Sequence, residues 1–99
     1  MEMSNQKIVR CNRSGVFFGE IVAREGREIK MRNARNIWFW SGAASLSELA
    51  NKGVSRPGNC KFPAPIIGET ILTDVIQILD VTIEAEKSLN NVPVWSAHD

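Results

Sequence analysis

Short apolar runs near the start of the chain are spaced for strands. Lys7 to Asn12 carries Ile8, Val9 and Cys11, and Val16 to Arg24 carries Val16, Phe17, Phe18, Ile21 and Val22. Ser14-Gly15 suits a tight connection between them. Arg27 to Arg32 then alternates with period two, setting Ile29 and Met31 on one face and Glu28, Lys30 and Arg32 on the other. Glu25-Gly26 predicts the intervening hairpin turn, because glycine accepts the positive φ such turns demand. The pattern is an antiparallel meander with one wet face.

The middle of the chain reads differently. Asn36 to Trp40 is an apolar run predicted as a strand, with Trp38 and Trp40 sharing a face. Ser45-Leu46-Ser47-Glu48 has the capping-box pattern, Leu46, Leu49 and Ala50 form an apolar stripe, and Gly53 stands at the C-cap position. These features predict a helix from Ser45 to Lys52. Gly53 to Pro65 is rich in glycine and proline and predicts an ordered loop or extended edge. Thr73 to Thr82 predicts a further strand, with Ile71 and Leu72 either extending it or forming a preceding turn. Thr82 can cap a second helix with Glu84 and Glu86 in its first turn, ended by Asn90-Asn91. Val92 to Trp95 packs back as a tail or an edge strand. The expected fold is α+β, mainly an antiparallel β-sheet or small open barrel of about five strands, with one or two short helices.

Length and composition narrow the function more than the fold. A chain of 99 residues is expected to form one domain, and 43% hydrophobic with 23% charged residues is an ordinary globular mix. The net charge of +1 argues against nucleic acid as a partner. No apolar run approaches the ~20 residues of a membrane-spanning helix. The polar Met1 to Gln6 segment is not of signal-peptide type, so no membrane association and a cytoplasmic location are expected. The single histidine, His98, is next to the last residue, a poor place for a metal site or a nucleophile–histidine pair. Cys11 and Cys60 are expected as reduced, buried thiols. Neither common phosphate-binding glycine loop is present. No catalytic residue, metal or cofactor is assigned, and the chain is read as a non-enzyme.

Charge is unevenly distributed. Residues 1–35 hold eight basic and four acidic side chains, and six of the eight are arginine. One reading is a solvated hairpin face; the other is a basic face for phosphate, since the arginine fork binds it in pairs. On the second reading Arg24, Arg32 and Arg35 are candidate phosphate ligands. Trp38 or Trp40 is a candidate for stacking a base, and the helix start at Ser45 a candidate anion site. The competing role for either tryptophan is core or oligomer interface. Lys61 or Arg56 can flank a pocket.

The run Ile37-Trp38-Phe39-Trp40-Ser41-Gly42-Ala43-Ala44-Ser45-Leu46-Ser47-Glu48-Leu49-Ala50, followed by Gly53-Val54-Ser55-Arg56-Pro57-Gly58-Asn59-Cys60-Lys61-Phe62-Pro63, resembles a family of small phage-encoded proteins known chiefly as a domain of unknown function. The resemblance implies expression in a bacterial host cell and an accessory role directed at the host. Small oligomeric phage proteins include groups called Sequestin and Lockin, which trap signalling nucleotides of bacterial immunity. By that analogy the chain is expected to be a homo-oligomer that sequesters an adenine-containing signal, a cyclic ADP-ribose isomer or a cyclic dinucleotide, without catalysis. The alternative is a protein-interaction module that blocks a host or defence protein. A nucleotide-degrading enzyme is a third reading.

Overall fold

The computed structural model describes residues 2–96. The meander is present as β1 (Met3–Cys11), β2 (Val16–Glu25) and β3 (Glu28–Asn36). Helix α1 (Leu46–Lys52) follows, then β4 (Glu69–Leu72), β5 (Val75–Thr82) and helix α2 (Ile83–Asn90). All pairings between these five strands are antiparallel, and the order β4-β3-β2-β1-β5 makes one open five-stranded sheet rather than a closed barrel.

Alternation along the strands sorts the apolar side chains onto two faces. Ile8, Phe18 and Val81 pack on one face with Leu49 and Ala50 of α1, Ala85 and Leu89 of α2, and the fully buried Phe62. Val9, Cys11, Phe17, Ile29, Met31, Leu72 and Val75 fill the other face, a cluster drawn from strands alone. The sheet achieves this by coiling over itself. A bulge in β3 contributes: Asn33 sits at φ 56°, a left-handed conformation asparagine tolerates, and the β2–β3 register shifts there. Gly19 lies opposite, where a Cβ would come within 3.0 Å of Ala34 Cα and of two β3 carbonyl oxygens.

Coiling explains an otherwise awkward connection. β4 and β5 occupy opposite edges of the sheet yet are joined only by Thr73 and Asp74. The Val75 N–H donates to the Arg27 carbonyl at 3.2 Å, so the first residue of β5 reaches the β2–β3 hairpin. Asp74 fastens this corner, accepting from the Arg13 N–H at 2.7 Å, the Ser14 N–H at 3.2 Å and the Ser14 hydroxyl at 2.9 Å. These bonds, the one from the Arg13 N–H foremost, hold its carboxyl below the ordinary 3.8.

Both caps work as the sequence implies, with one change. The Ser45 hydroxyl accepts from the Glu48 N–H at 3.2 Å, while the Glu48 carboxylate accepts from Ala44 rather than Ser45, at 2.9 Å. The Thr82 hydroxyl accepts from the Ala85 N–H at 3.0 Å and donates to the Asn51 carbonyl at 2.7 Å, joining the start of α2 to the end of α1. Cys11 and Cys60 are free and buried in clusters on different faces. Burial first, then the nearby Asp74 carboxylate, push the Cys11 thiol up to about 11, which leaves it a poor nucleophile.

The strand expected over Asn36 to Trp40 does not form. β3 instead continues to Asn36, the Ile37 N–H donates to the Val16 carbonyl at 2.8 Å, and the chain then leaves the sheet. Its place at that edge is taken by β4, whose four residues pair with Ile29 to Arg32 of β3. No helix among the described residues is long and apolar enough to cross a membrane.

Candidate functional site

Arg35 organises the end of the molecule where β3 stops. It is only 6% exposed. Its Nε donates to the Pro63 carbonyl at 2.9 Å, Nη1 to Leu89 at 3.4 Å, and Nη2 to Phe62 at 3.2 Å and Val92 at 2.8 Å. The guanidinium also lies 5.3 Å from the Phe62 ring centroid. No carboxylate pairs with it among the described residues. Burial pushes its pKa down, yet arginine remains a cation at any ordinary pH. The expected phosphate role for Arg35 is therefore corrected: its donors are turned inward onto main-chain carbonyls. It is a positioning residue.

What Arg35 holds is a small patch of irregular chain. Phe39 and Lys61 form an antiparallel bridge, with N–H to carbonyl distances of 3.2 and 2.7 Å. Phe62 forms a parallel bridge with Val94, and the Trp95 N–H donates to the Phe62 carbonyl at 3.0 Å. Three segments distant in sequence are thereby laid side by side, carrying Trp38, Lys61 and Trp95.

Their side chains meet at the surface. The Trp38 and Trp95 rings stack with centroids 4.7 Å apart and planes inclined by 27°. Lys61 Nζ lies 5.7 Å from the Trp38 ring centroid and 5.6 Å from that of Trp95. Trp38 is 60% exposed, so much of its indole is open to solvent. Lys61 has no carboxylate partner among the described residues. An exposed aromatic face beside an unneutralised ammonium can take a flat, anionic molecule, by stacking and by charge. Trp95 was expected only as part of a packed tail; an indole two residues after Pro93 was the signal that this tail had somewhere to dock.

The other expected site residues are dispersed. Trp40 is half-buried against the core cluster, in a setting different from that of Trp38. The Ser45 hydroxyl accepts from the Glu48 N–H and the Glu48 carboxylate accepts from the Ala44 N–H, so a carboxylate already stands at the helix start expected to take an anion. Arg32 is exposed and faces Glu20 at 3.5 Å. Arg24 pairs in register with Ile29, near the β2–β3 turn. From Ile29 to Asn36 β3 runs about 23 Å at the usual rise, so Arg24 and Trp38 lie towards opposite ends of the strand. One chain does not bring Arg24, Arg32 and the tryptophans around a single ligand.

The family model of DUF6948, a domain of unknown function, matches residues 4–89, from β1 nearly to the end of α2. The chain belongs to the DUF6948 family. The DUF6948 match takes in Arg35, Trp38 and Lys61, whereas Trp95 lies beyond its end. No curated protein and no solved structure matches the chain. Among the described residues no group of three or more histidine, cysteine, aspartate or glutamate side chains is placed to hold a metal ion.

Proposed function

We propose that this chain is a non-catalytic binding protein that sequesters a nucleotide, stacking an adenine on the open face of Trp38 and drawing a phosphate to Lys61. The observation that carries the reading is the exposed Trp38–Trp95 stack with Lys61 Nζ within 6 Å of both ring centroids. The resemblance to small phage-encoded proteins supports a host-directed role in a bacterial cytoplasm, with a cyclic ADP-ribose isomer or a cyclic dinucleotide as the captured signal. A surface platform covers one side of a base only. In this reading the opposite wall comes from a second copy of the chain, and the working form is a homo-oligomer.

The test is a ligand-release assay. Purified protein is mixed with a panel of these nucleotides, freed of unbound material and heat-denatured, and the released species are identified by mass spectrometry. The proposal expects an intact nucleotide in near-stoichiometric yield. Trp38→Ala should weaken retention by about 5- to 150-fold, from the ~1–3 kcal/mol of a base–aromatic stack. Release of altered nucleotide would make the protein an enzyme, and absence of any retained nucleotide would remove the proposal for these signals. A second reading draws on the exposure of Phe39 and Val94 in the segments that carry the platform. It is a protein-docking surface, and it predicts a captured partner that is lost in Trp38→Ala while no nucleotide binds.

A further inference from the structure

At the turn end of β3, away from the tryptophans, a cleft of about 440 Å³ separates the β2–β3 hairpin from β5. It is lined by Arg24, Gly26 and Arg27 on one side and by Val75, Ile76, Gln77 and Ile78 on the other. The strand order leaves the outer side of β5 without a neighbouring strand, and the hairpin reaches it through the Arg27–Val75 hydrogen bond.

The charges in this cleft are of one sign. Neither the Arg24 nor the Arg27 side chain has an ion-pair or hydrogen-bond partner among the described residues, and no carboxylate lines the cleft. The acidic residues of the hairpin, Glu25 and Glu28, line the groove on its other flank together with Lys30, and Arg24 stands between the two, bordering both. Two solvent-facing guanidiniums share a concavity that holds no opposite charge, so they focus a positive potential into it. Each presents planar paired donors matched to phosphate oxygens. The Gln77 amide adds a group that can donate or accept. The volume far exceeds that of a bare phosphate, at roughly 30 Å³ per water-sized molecule, and Ile76 is 51% exposed on the facing wall.

We propose that this cleft is a binding site for a phosphate monoester, with Arg24 and Arg27 holding the phosphate and the Ile76–Gln77–Ile78 wall bordering its organic part. The site is separate from the tryptophan platform and does not depend on the nucleotide reading.

Ribose 5-phosphate is a suitable probe because it has a phosphate monoester and no base to stack on Trp38. Arginine Nε–Hε signals are followed by NMR while ribose 5-phosphate, ribose, or a glutamate octapeptide is titrated into the whole chain. Ribose 5-phosphate should shift the Arg24 and Arg27 signals and bind at least about tenfold tighter than ribose. Arg24→Ala and Arg27→Ala should each weaken it about tenfold, whereas Trp38→Ala should leave it unchanged. Both arginines are exposed, so these variants test binding rather than folding. Ribose 5-phosphate binding no tighter than ribose, or equal in wild type and both arginine variants, overturns the assignment. Tighter binding of the glutamate peptide makes the cleft a groove for an acidic strand and overturns it too. Loss of binding in Trp38→Ala would move the phosphate to the platform.

Discussion

Replacing Arg35 by methionine removes the donors but keeps a long apolar side chain in the same space. Four carbonyls lose a partner, but not all are stranded. The Phe62 oxygen keeps the Trp95 N–H at 3.0 Å, and the Leu89 oxygen keeps the Val92 N–H at 3.4 Å. Among the hydrogen bonds of the described residues, those of Pro63 and Val92 have Arg35 alone as donor. Two unsatisfied buried carbonyls cost about 2–6 kcal/mol, and relief from holding a desolvated cation returns part of that. The expected net loss is about 2–4 kcal/mol, against a total of roughly 5–15 kcal/mol for a chain of this length. In urea the unfolding midpoint should fall by about 1–2 M, for a slope of ~2 kcal/mol per molar. Below the transition the near-ultraviolet circular dichroism of the stacked indoles should also weaken, because Arg35 anchors the segments that carry Lys61 and Trp95. Arg35→Lys keeps the charge but has a compact ammonium in place of the fork, and should recover less than half the loss. A midpoint shift under about 0.3 M with an unaltered indole spectrum would show that the clamp neither stabilises the fold nor positions the platform.

Two further outcomes follow from the sheet corner and the helix end. Asp74 has a depressed folded pKa, so its contribution is present above the unfolded value near 3.8 and is lost as pH falls through the folded value. Wild type should therefore exceed Asp74→Asn in stability at neutral pH by a margin that shrinks below about pH 4 in acid titrations followed by circular dichroism; a margin independent of pH would contradict the hydrogen-bond account. Gly53 ends α1 at φ 79° and ψ −148°, and an added Cβ would overlap the Ser88 side chain. Gly53→Ala should cost about 1–3 kcal/mol or more in urea denaturation, and a neutral result would show that α2 can shift to make room.

The fold was legible where local chemistry governs it. Alternation at Ile29 and Met31, the hairpin glycine at position 26, and the hydroxyl caps at Ser45 and Thr82 are short-range signals, and each describes what forms there. The errors occur where a distant partner decides. Asn36 to Trp40 has the apolar content of a strand, but β3 lengthens through a bulge at Asn33 that simple alternation does not announce. β4 has only four residues and was concealed by its closeness to β5, since nothing local says that Leu72 and Val75 belong to opposite edges. The site was legible in part. Trp38 is one of the two stacking candidates in the sequence, and Lys61 is one of two residues read there as able to flank a pocket. Arg35 was misread because its partners are main-chain carbonyls, one of them 57 residues away, and carbonyls leave no mark in a sequence. Trp95 enters only once Phe62 and Val94 are paired.

The pairing of the first strand with the last has a cost in time. Ile8 lies opposite Leu79 and Val9 opposite Ile78, so one side of β1 is completed by residues made some 70 positions later. At ribosomal rates of about 5–20 residues per second, β1 waits roughly 4–14 s with its apolar pair uncovered along one flank. During that interval β1 is the place where two growing chains would join, and Lys7 and Arg10 are the charges that flank its apolar pair against such a union. Closing so long a loop is also entropically slow, so β5 docks onto a meander already formed. The N-terminal third of the molecule must therefore be able to persist, incomplete and in company, before the chain that finishes it exists.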